Sequence, residues 1–253
     1  MYFLSFETSG KTFSLALSLD EKVLRYKNIK TALVLEDSFI PQVDKMLASA
    51  KVKFDQIDGF AIALGPGSFT SLRVGLSTVK AFAMGTGKPV VGIPSMDIIA
   101  HGIPNSLPPE GRAREGGVFD EICVLNDARR NKVYACFYDT KRTNDSSCWA
   151  LVRRSEYLLT TLEDVLEKVQ GKTLFVGDGL GIYRKEIEAA YKKYSSKKAS
   201  ICKCLFADEK WWYPQGKVMA SLAYQRFRNQ QYDDAAKLLP LYLYPQDCQV
   251  TKN

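Results

Sequence analysis

The chain has 253 residues, 46 % of them apolar and 25 % charged, which suits one large or two moderate α/β domains with buried cores. No apolar run reaches the roughly 18 residues of a membrane span, and the opening MYFLSFETSGK lacks the basic start and long apolar stretch of a signal peptide. Six cysteines without a C-x-x-C pair argue against a disulfide scaffold, so a cytoplasmic thiol protein with no membrane contact is expected, and the net charge of +7 fits a solvated basic surface or a polyanionic neighbour.

Phe3 to Phe6 reads as the first strand. In the second, Phe13, Leu15, Leu17 and Leu19 alternate with Thr12, Ser14, Ala16 and Ser18, the period of a half-buried strand, and Val23 to Lys27 returns after an Asp20-Glu21 turn. A helix follows, with Phe39, Val43, Met46, Leu47 and Ala50 on one stripe. A cap at Asp37 or Ser38 would place Pro41 in its first turn, where proline is tolerated, whereas an earlier start would make Pro41 a kink. Strand Phe60 to Leu64 runs into the glycine-rich loop Gly65-Pro66-Gly67-Ser68, and a helix from Phe69 to about Met84 stops at Gly85 and Gly87. Val90 to Ile93 is the next strand, and Met96 to Ala100 starts a short helix.

Beyond the Pro- and Gly-rich stretch Pro104 to Gly117 the opening pattern returns. Ile122 to Leu125 is a strand, Asp127 to Lys132 a turn, Val133 to Tyr138 an alternating strand and Cys148 to Val152 a third. Thr161 and Asp164 form a capping box before a helix carrying Leu162, Val165, Leu166 and Val169. Leu174 to Val176 leads to Gly177-Asp178-Gly179 and a helix from about Ile182 to Tyr194. A last helix follows Pro214. The chain therefore reads as an α/β protein with two duplicated βββαβα lobes facing across a cleft, the plan of the actin, sugar kinase and Hsp70 ATPase group. The first lobe is expected over 1–103, joined by analogy with such folds by the helix at about 214–231. A linker or inserted loop over 104–117, a smaller lobe over 118–213 and a tail over 232–253 complete the plan.

A glycine-rich loop between strand and helix brings backbone N–H groups close to a ligand, and a helix N-terminus favours anions, so a phosphate site is conceivable there. The G-x-x-x-x-G-K-[ST] spacing of a P-loop is absent, and Gly85-Thr86-Gly87-Lys88 reads as a helix C-cap. The single histidine, His101, with Asp97 four residues earlier, does not supply the three or four ligands of a zinc or iron site. Nor does it leave a base for a Ser or Cys triad. Glu7 and Asp127 lie in turns that face phosphate and metal in kinase-like folds; each either serves as a general base or Mg²⁺ holder, stands as a vestige of that role, or caps its own turn. Cys202 and Cys204 share one side of an apparent strand and read as packing residues.

The run Leu64-Gly-Pro-Gly-Ser-Phe-Thr-Ser-Leu-Arg-Val-Gly-Leu76, with Lys80-Ala81 and Pro89 to Ile93, resembles the bacterial TsaB (YeaZ) family of tRNA threonylcarbamoyladenosine biosynthesis proteins. Asp127-Ala128-Arg129, Gly177-Asp178-Gly179 and Pro240-Leu241-Tyr242-Leu243 fit it as well, so that the likeness covers nearly the whole chain. The resemblance implies an actin-like fold and a place in the machinery that modifies adenosine 37 of tRNA. In the catalytic paralogue, TsaD, an Asn-His-x-x-x-His run binds the metal; here Ser95 and Ile99 stand at the two histidine positions. The resemblance therefore implies a non-catalytic scaffold or activator with no catalytic residue, metal or cofactor of its own.

It further implies pairing with TsaD, joined by the ATPase TsaE, with tRNA met through the complex, and it leaves a homodimer through the same helices open. The helices implied to carry the partner face bear Phe39, Val43, Met46, Leu47, Leu72, Leu76, Val79 and Phe82, beside the module Gly65, Pro66, Gly67, Ser68 and Arg73; some of these side chains must pack on the chain's own sheet instead, and Phe69 to Met84, apolar on more than one face, suits burial on two sides. Glu7 stands where the family has aspartate, and Tyr244 where it ends in arginine. The alternative is a small-molecule phosphotransferase of the same superfamily, for which Glu7 or Asp127 would matter.

Overall fold

In a computed structural model, which describes residues 1–10, 12–30, 35–104, 119–142, 149–195 and 204–244, the first sheet starts with the alternation seen in the sequence. Strands β1 (Tyr2–Glu7), β2 (Thr12–Leu19) and β3 (Lys22–Lys30) form an antiparallel meander, with Leu4 opposite Leu17 and Glu7 opposite Ser14. Strands β4 (Ile57–Ala63) and β5 (Val90–Ile93) add in parallel to give the order β3-β2-β1-β4-β5.

The two faces of this sheet differ in side-chain size, and that difference decides what packs on each. Leu4, Phe6, Phe13, Leu15, Leu17, Phe60 and Ile62 form a bulky face covered by helices α1 (Leu35–Ala50) and α2 (Phe69–Thr86). Ala16, Ala61 and Ala63, with Phe3, form the opposite face, where small residues allow a helix to sit close. Helix α1 takes the earlier of the two starts, at Leu35, so Pro41 lies inside the helix. It is exposed, while Phe39 and Val43 on either side are buried against the sheet. That burial offsets the hydrogen bond a proline removes.

A short helix, α3 (Ser95–His101), follows β5. The second sheet repeats the meander with β6 (Glu121–Arg129), β7 (Lys132–Arg142) and β8 (Trp149–Arg153), and β9 (Leu158–Thr160) pairs the far end of β7. Helix α4 (Leu162–Glu167) starts at Thr161, whose hydroxyl accepts from the Asp164 N–H at 3.3 Å while the Asp164 carboxylate accepts from the Thr161 N–H at 3.4 Å. Strand β10 (Thr173–Val176), helix α5 (Leu180–Ser195) and strand β11 (Cys204–Phe206) complete the order β11-β10-β6-β7-β8. Cys123, Leu125, Phe137, Phe175 and Ile187 centre its core.

The last helix, α6 (Gly216–Arg228), lays Met219, Ala220, Ala223 and Phe227 on the small-residue face of the first sheet. Gly59 makes the approach possible, because a Cβ there would lie 2.7 Å from the Phe227 ring. Two compact units result, one of Met1–Ile98 and Pro214–Tyr242, the other of Ile99–Tyr213 and Leu243–Asn253. The linker or inserted loop read at 104–117 falls, beyond Pro104, outside the described residues, as do Cys148, Cys202 and Cys248.

Candidate functional site

The glycine-rich loop is closed by its own chain. Gly65 has φ of +90°, a backbone state that L side chains rarely adopt. A side chain at Gly67 would overlap the Ser9 carbonyl, and one at Gly75, in the second turn of α2, would overlap Thr8. The turn after β1 thus rests directly on the loop and on α2. The Ser68 N–H, at the start of α2, donates to the Ser9 carbonyl at 2.8 Å, so the chain itself supplies an acceptor at this helix N-terminus. The Ser95 N–H donates to the Gly65 carbonyl at 2.8 Å, and the Ser95 hydroxyl donates to the Ser9 hydroxyl at 2.8 Å.

Glu7 anchors this knot. Its Oε1 accepts from the Ser9 N–H at 2.7 Å and from the Ser9 hydroxyl. The side chain is fully buried and makes no ion pair with a described residue, and Oε2 has no hydrogen-bond partner. Burial pushes its carboxyl up to about 7, against the lowering effect of the two Ser9 donors. Glu7 thus holds the β1–β2 turn in place from below.

Asp127 caps its own turn: its Oδ1 accepts from the Arg129 N–H at 2.8 Å, and its N–H donates to Asp178 Oδ1 at 3.0 Å. Gly177, at φ +125°, and Gly179 lie against the Leu125 carbonyl, which accepts from the Gly179 N–H at 3.0 Å. In α3, Ser95 and Ile99 are each 1 % exposed, and His101 is exposed at the end of the helix. Among the described residues no three His, Cys, Asp or Glu side chains gather as a metal-binding group. No described helix is long and apolar enough to cross a membrane.

Burial divides the apolar residues of α1 and α2 between the chain's own sheet and its surface. Phe39, Val43, Met46, Leu47, Leu72, Leu76 and Val79 are all 6 % exposed or less, and all of them but Leu72 belong to the core cluster over the first sheet. Phe82 is half-buried, its ring 5.1 Å from that of Phe54 and 5.7 Å from that of Phe60. The stripe richest in apolar residues is the one the sheet takes, and a side chain committed to it has no surface left to offer.

What α2 leaves to solvent is a flank at i, i+4, i+8 and i+15: Phe69, Arg73, Ser77 and Met84, with Phe69 53 % and Met84 63 % exposed. Beside it Leu239 is 69 % and Tyr242 42 % exposed, and Ile40 of α1 is 53 % exposed. The sequence singles out Arg73 and the span Phe69 to Met84 but not Leu239 or Ile40; Phe69 and Met84 fall off the buried Leu72, Leu76, Val79, Ala83 line, and only the packing shows which side of α2 stays open. Arg73 stacks on Phe69 and donates from Nε to the Tyr242 hydroxyl at 2.9 Å.

Residues 34–249 match the family model described as TsaD, tRNA N6-adenosine threonylcarbamoyltransferase. The chain is 32 % identical over 95 residues to the tRNA threonylcarbamoyladenosine biosynthesis protein TsaB of Haemophilus influenzae, a match covering 38 % of this chain and only 36 % of that protein. It is 25 % identical over 190 residues to the TsaB of Bacillus subtilis, covering 74 % of this chain and 76 % of that one. The solved structure of YeaZ from Pseudomonas aeruginosa superposes with a TM-score of 0.70 at 20 % identity, covering 96 % of this chain and 99 % of that one. The fold is accordingly the actin-like one, and a ROK family protein from Streptococcus pneumoniae superposes with a TM-score of 0.50 at 10 % identity.

Proposed function

The chain belongs to the family described as TsaD, tRNA N6-adenosine threonylcarbamoyltransferase, in its TsaB/YeaZ group, and from that premise we propose that it serves tRNA threonylcarbamoyladenosine biosynthesis as a non-catalytic scaffold or activator. It acts by pairing with the catalytic paralogue, TsaD; the ATPase TsaE joins the pair, and tRNA is met through the complex.

The observation that carries this reading is the closed glycine-rich loop. At the helix N-terminus where an anion could otherwise bind, the Ser9 carbonyl takes the Ser68 N–H at 2.8 Å and lies against the Gly67 backbone. Ser95, at the first histidine position of the catalytic paralogue, is used as a hydrogen-bond donor to Ser9. The module then works as a rigid mount for α2, and the exposed flank of α2 is the surface left to act.

The test mixes the purified chain with its cognate paralogue and follows both by size-exclusion chromatography, with ATP turnover by the isolated chain measured alongside. Joint elution and no turnover are expected. Separate elution, together with turnover lost in Glu7→Gln, would instead favour the phosphotransferase.

A further inference from the structure

The chain from Asp233 to Tyr242 runs back over the first unit without a helix or strand of its own, and its anchors are specific. The Arg226 guanidinium holds both oxygens of Asp233, at 3.0 and 3.1 Å, and also the Gly92 carbonyl at 2.7 Å. The Asp233 N–H donates to the Val90 carbonyl at 2.9 Å, and Asp233 Oδ2 accepts from the Gly92 N–H at 2.7 Å. Further along, Lys80 Nζ donates to the carbonyls of Ala236 at 2.9 Å and Leu238 at 3.2 Å. The Leu241 N–H donates to the Leu64 carbonyl at 2.7 Å. Tyr242 is delivered by this strap to a fixed place beside the first turn of α2.

There it closes a clamp. The Arg73 guanidinium carbon lies 3.8 Å from the Phe69 ring centroid and 5.8 Å from that of Tyr242, and the two rings are 5.4 Å apart. Only Nε is spoken for, by the Tyr242 hydroxyl at 2.9 Å. The terminal nitrogens hydrogen-bond to no described residue, and Arg73 forms no ion pair with one. A free arginine side chain carries about 2 kcal/mol of rotamer entropy, and stacking plus the Nε bond removes much of it before any partner arrives. What remains is a planar fork of donors matched to a planar anion.

The surroundings decide which anion. The fork borders a groove of about 450 Å³ whose walls include Val74, Leu76, Leu239 and Pro240. The other cation in that wall, Lys80, already serves two backbone carbonyls. A nucleic-acid backbone is held by several cations acting together, whereas one oriented arginine among exposed aromatic and aliphatic side chains is the composition of a protein–protein hot spot. We infer that Arg73, clamped by Phe69 and Tyr242, receives a carboxylate side chain of a partner protein, and that the adjoining groove takes the apolar residues beside that carboxylate. The inference rests on the proposal that this chain works by pairing. It assigns the anchoring contact to Arg73 and makes Tyr242 a positioning residue.

The test measures affinity for the cognate catalytic paralogue by titration calorimetry for the wild type, Arg73→Ala, Arg73→Lys, Tyr242→Phe and the Arg73→Ala/Tyr242→Phe double variant, with thermal melts of each. A tRNA transcript is titrated separately. Arg73→Ala and Arg73→Lys are expected to weaken pairing about tenfold or more with unchanged melting. Tyr242→Phe should weaken it a few-fold, and the double variant should be no weaker than Arg73→Ala, because Tyr242 acts through Arg73. Wild-type affinity in Arg73→Ala overturns the inference and leaves pairing intact. Full affinity in Arg73→Lys overturns the clamp, since charge alone would then suffice. Loss of tRNA affinity with paralogue affinity kept overturns it in favour of phosphate. Absence of wild-type pairing removes the proposed function itself.

Discussion

Glu7 is a fully buried carboxyl with two donors on one oxygen and, among the described residues, no partner on the other. Its pKa is raised from 4.5 to about 7, so the folded state holds the proton more tightly than the unfolded chain. The stability this contributes is complete below about pH 4.5, declines as pH rises through about 7 and is level above that. Glu7→Gln keeps an acceptor for Ser9 and cannot ionise. Unfolding free energies of the two proteins from urea titration should agree at pH 4 and separate in favour of the variant by pH 8, by up to roughly 3 kcal/mol; a constant difference across that range would mean that Glu7 ionises at its ordinary value. Gly67→Ala should cost about 2 kcal/mol or more at any pH, because the added methyl overlaps the Ser9 carbonyl, and a melt within error of wild type would show that the turn can move away. The sequence named Glu7 and Gly67 as notable but not why. Glu7 is defined by its burial and the knot it anchors, which runs through Ser9 to Ser95, 86 positions further on. Asp127 was more legible, because its capping bond to Arg129 is local. The capping box of Thr161 and Asp164 was readable for the same reason.

Helices and strands followed the hydrophobic period closely where it was strong. The Phe13, Leu15, Leu17 alternation gave β2 its bounds, and Gly87, at φ +67°, ends α2 as a left-handed cap. The three-residue strand β9 was not read, since Leu158 and Leu159 show no alternation and are defined by pairing with Ala135 and Tyr134. The orientation of α2 is settled only by packing: its richest apolar stripe faces its own sheet, and its exposed flank is a mixture that includes Phe69, Arg73, Ser77 and Met84. Two substitutions on this helix should therefore behave oppositely. Leu76→Ala should lower stability by about 3 kcal/mol through the cavity it leaves. Met84→Asp, at a site 63 % exposed, should melt as the wild type does yet fail to co-elute with the paralogue. Unfolding of the Met84 variant, or its normal pairing, would place the surface elsewhere.

The two units repeat one plan, a meander followed by α/β elements, and that repetition was visible in the sequence because both meanders keep a two-residue period. The strap closing over the first unit was not, because Arg226, Asp233 and Gly92 have no pattern linking them before the chain folds. Arg226→Ala should speed hydrogen exchange at the Gly92 amide and cost about 1–3 kcal/mol, the range for leaving a partly buried charged acceptor underserved. Unchanged Gly92 protection would mean that Asp233 holds the edge alone. The central claim is that this chain enables a catalyst without being one, and the direct measurement is threonylcarbamoyladenosine formation on a tRNA transcript by the cognate paralogue and its ATPase, with and without the chain. Modification that depends on the chain, survives Glu7→Gln and falls in Arg73→Ala is the predicted result; equal modification in its absence would contradict the account.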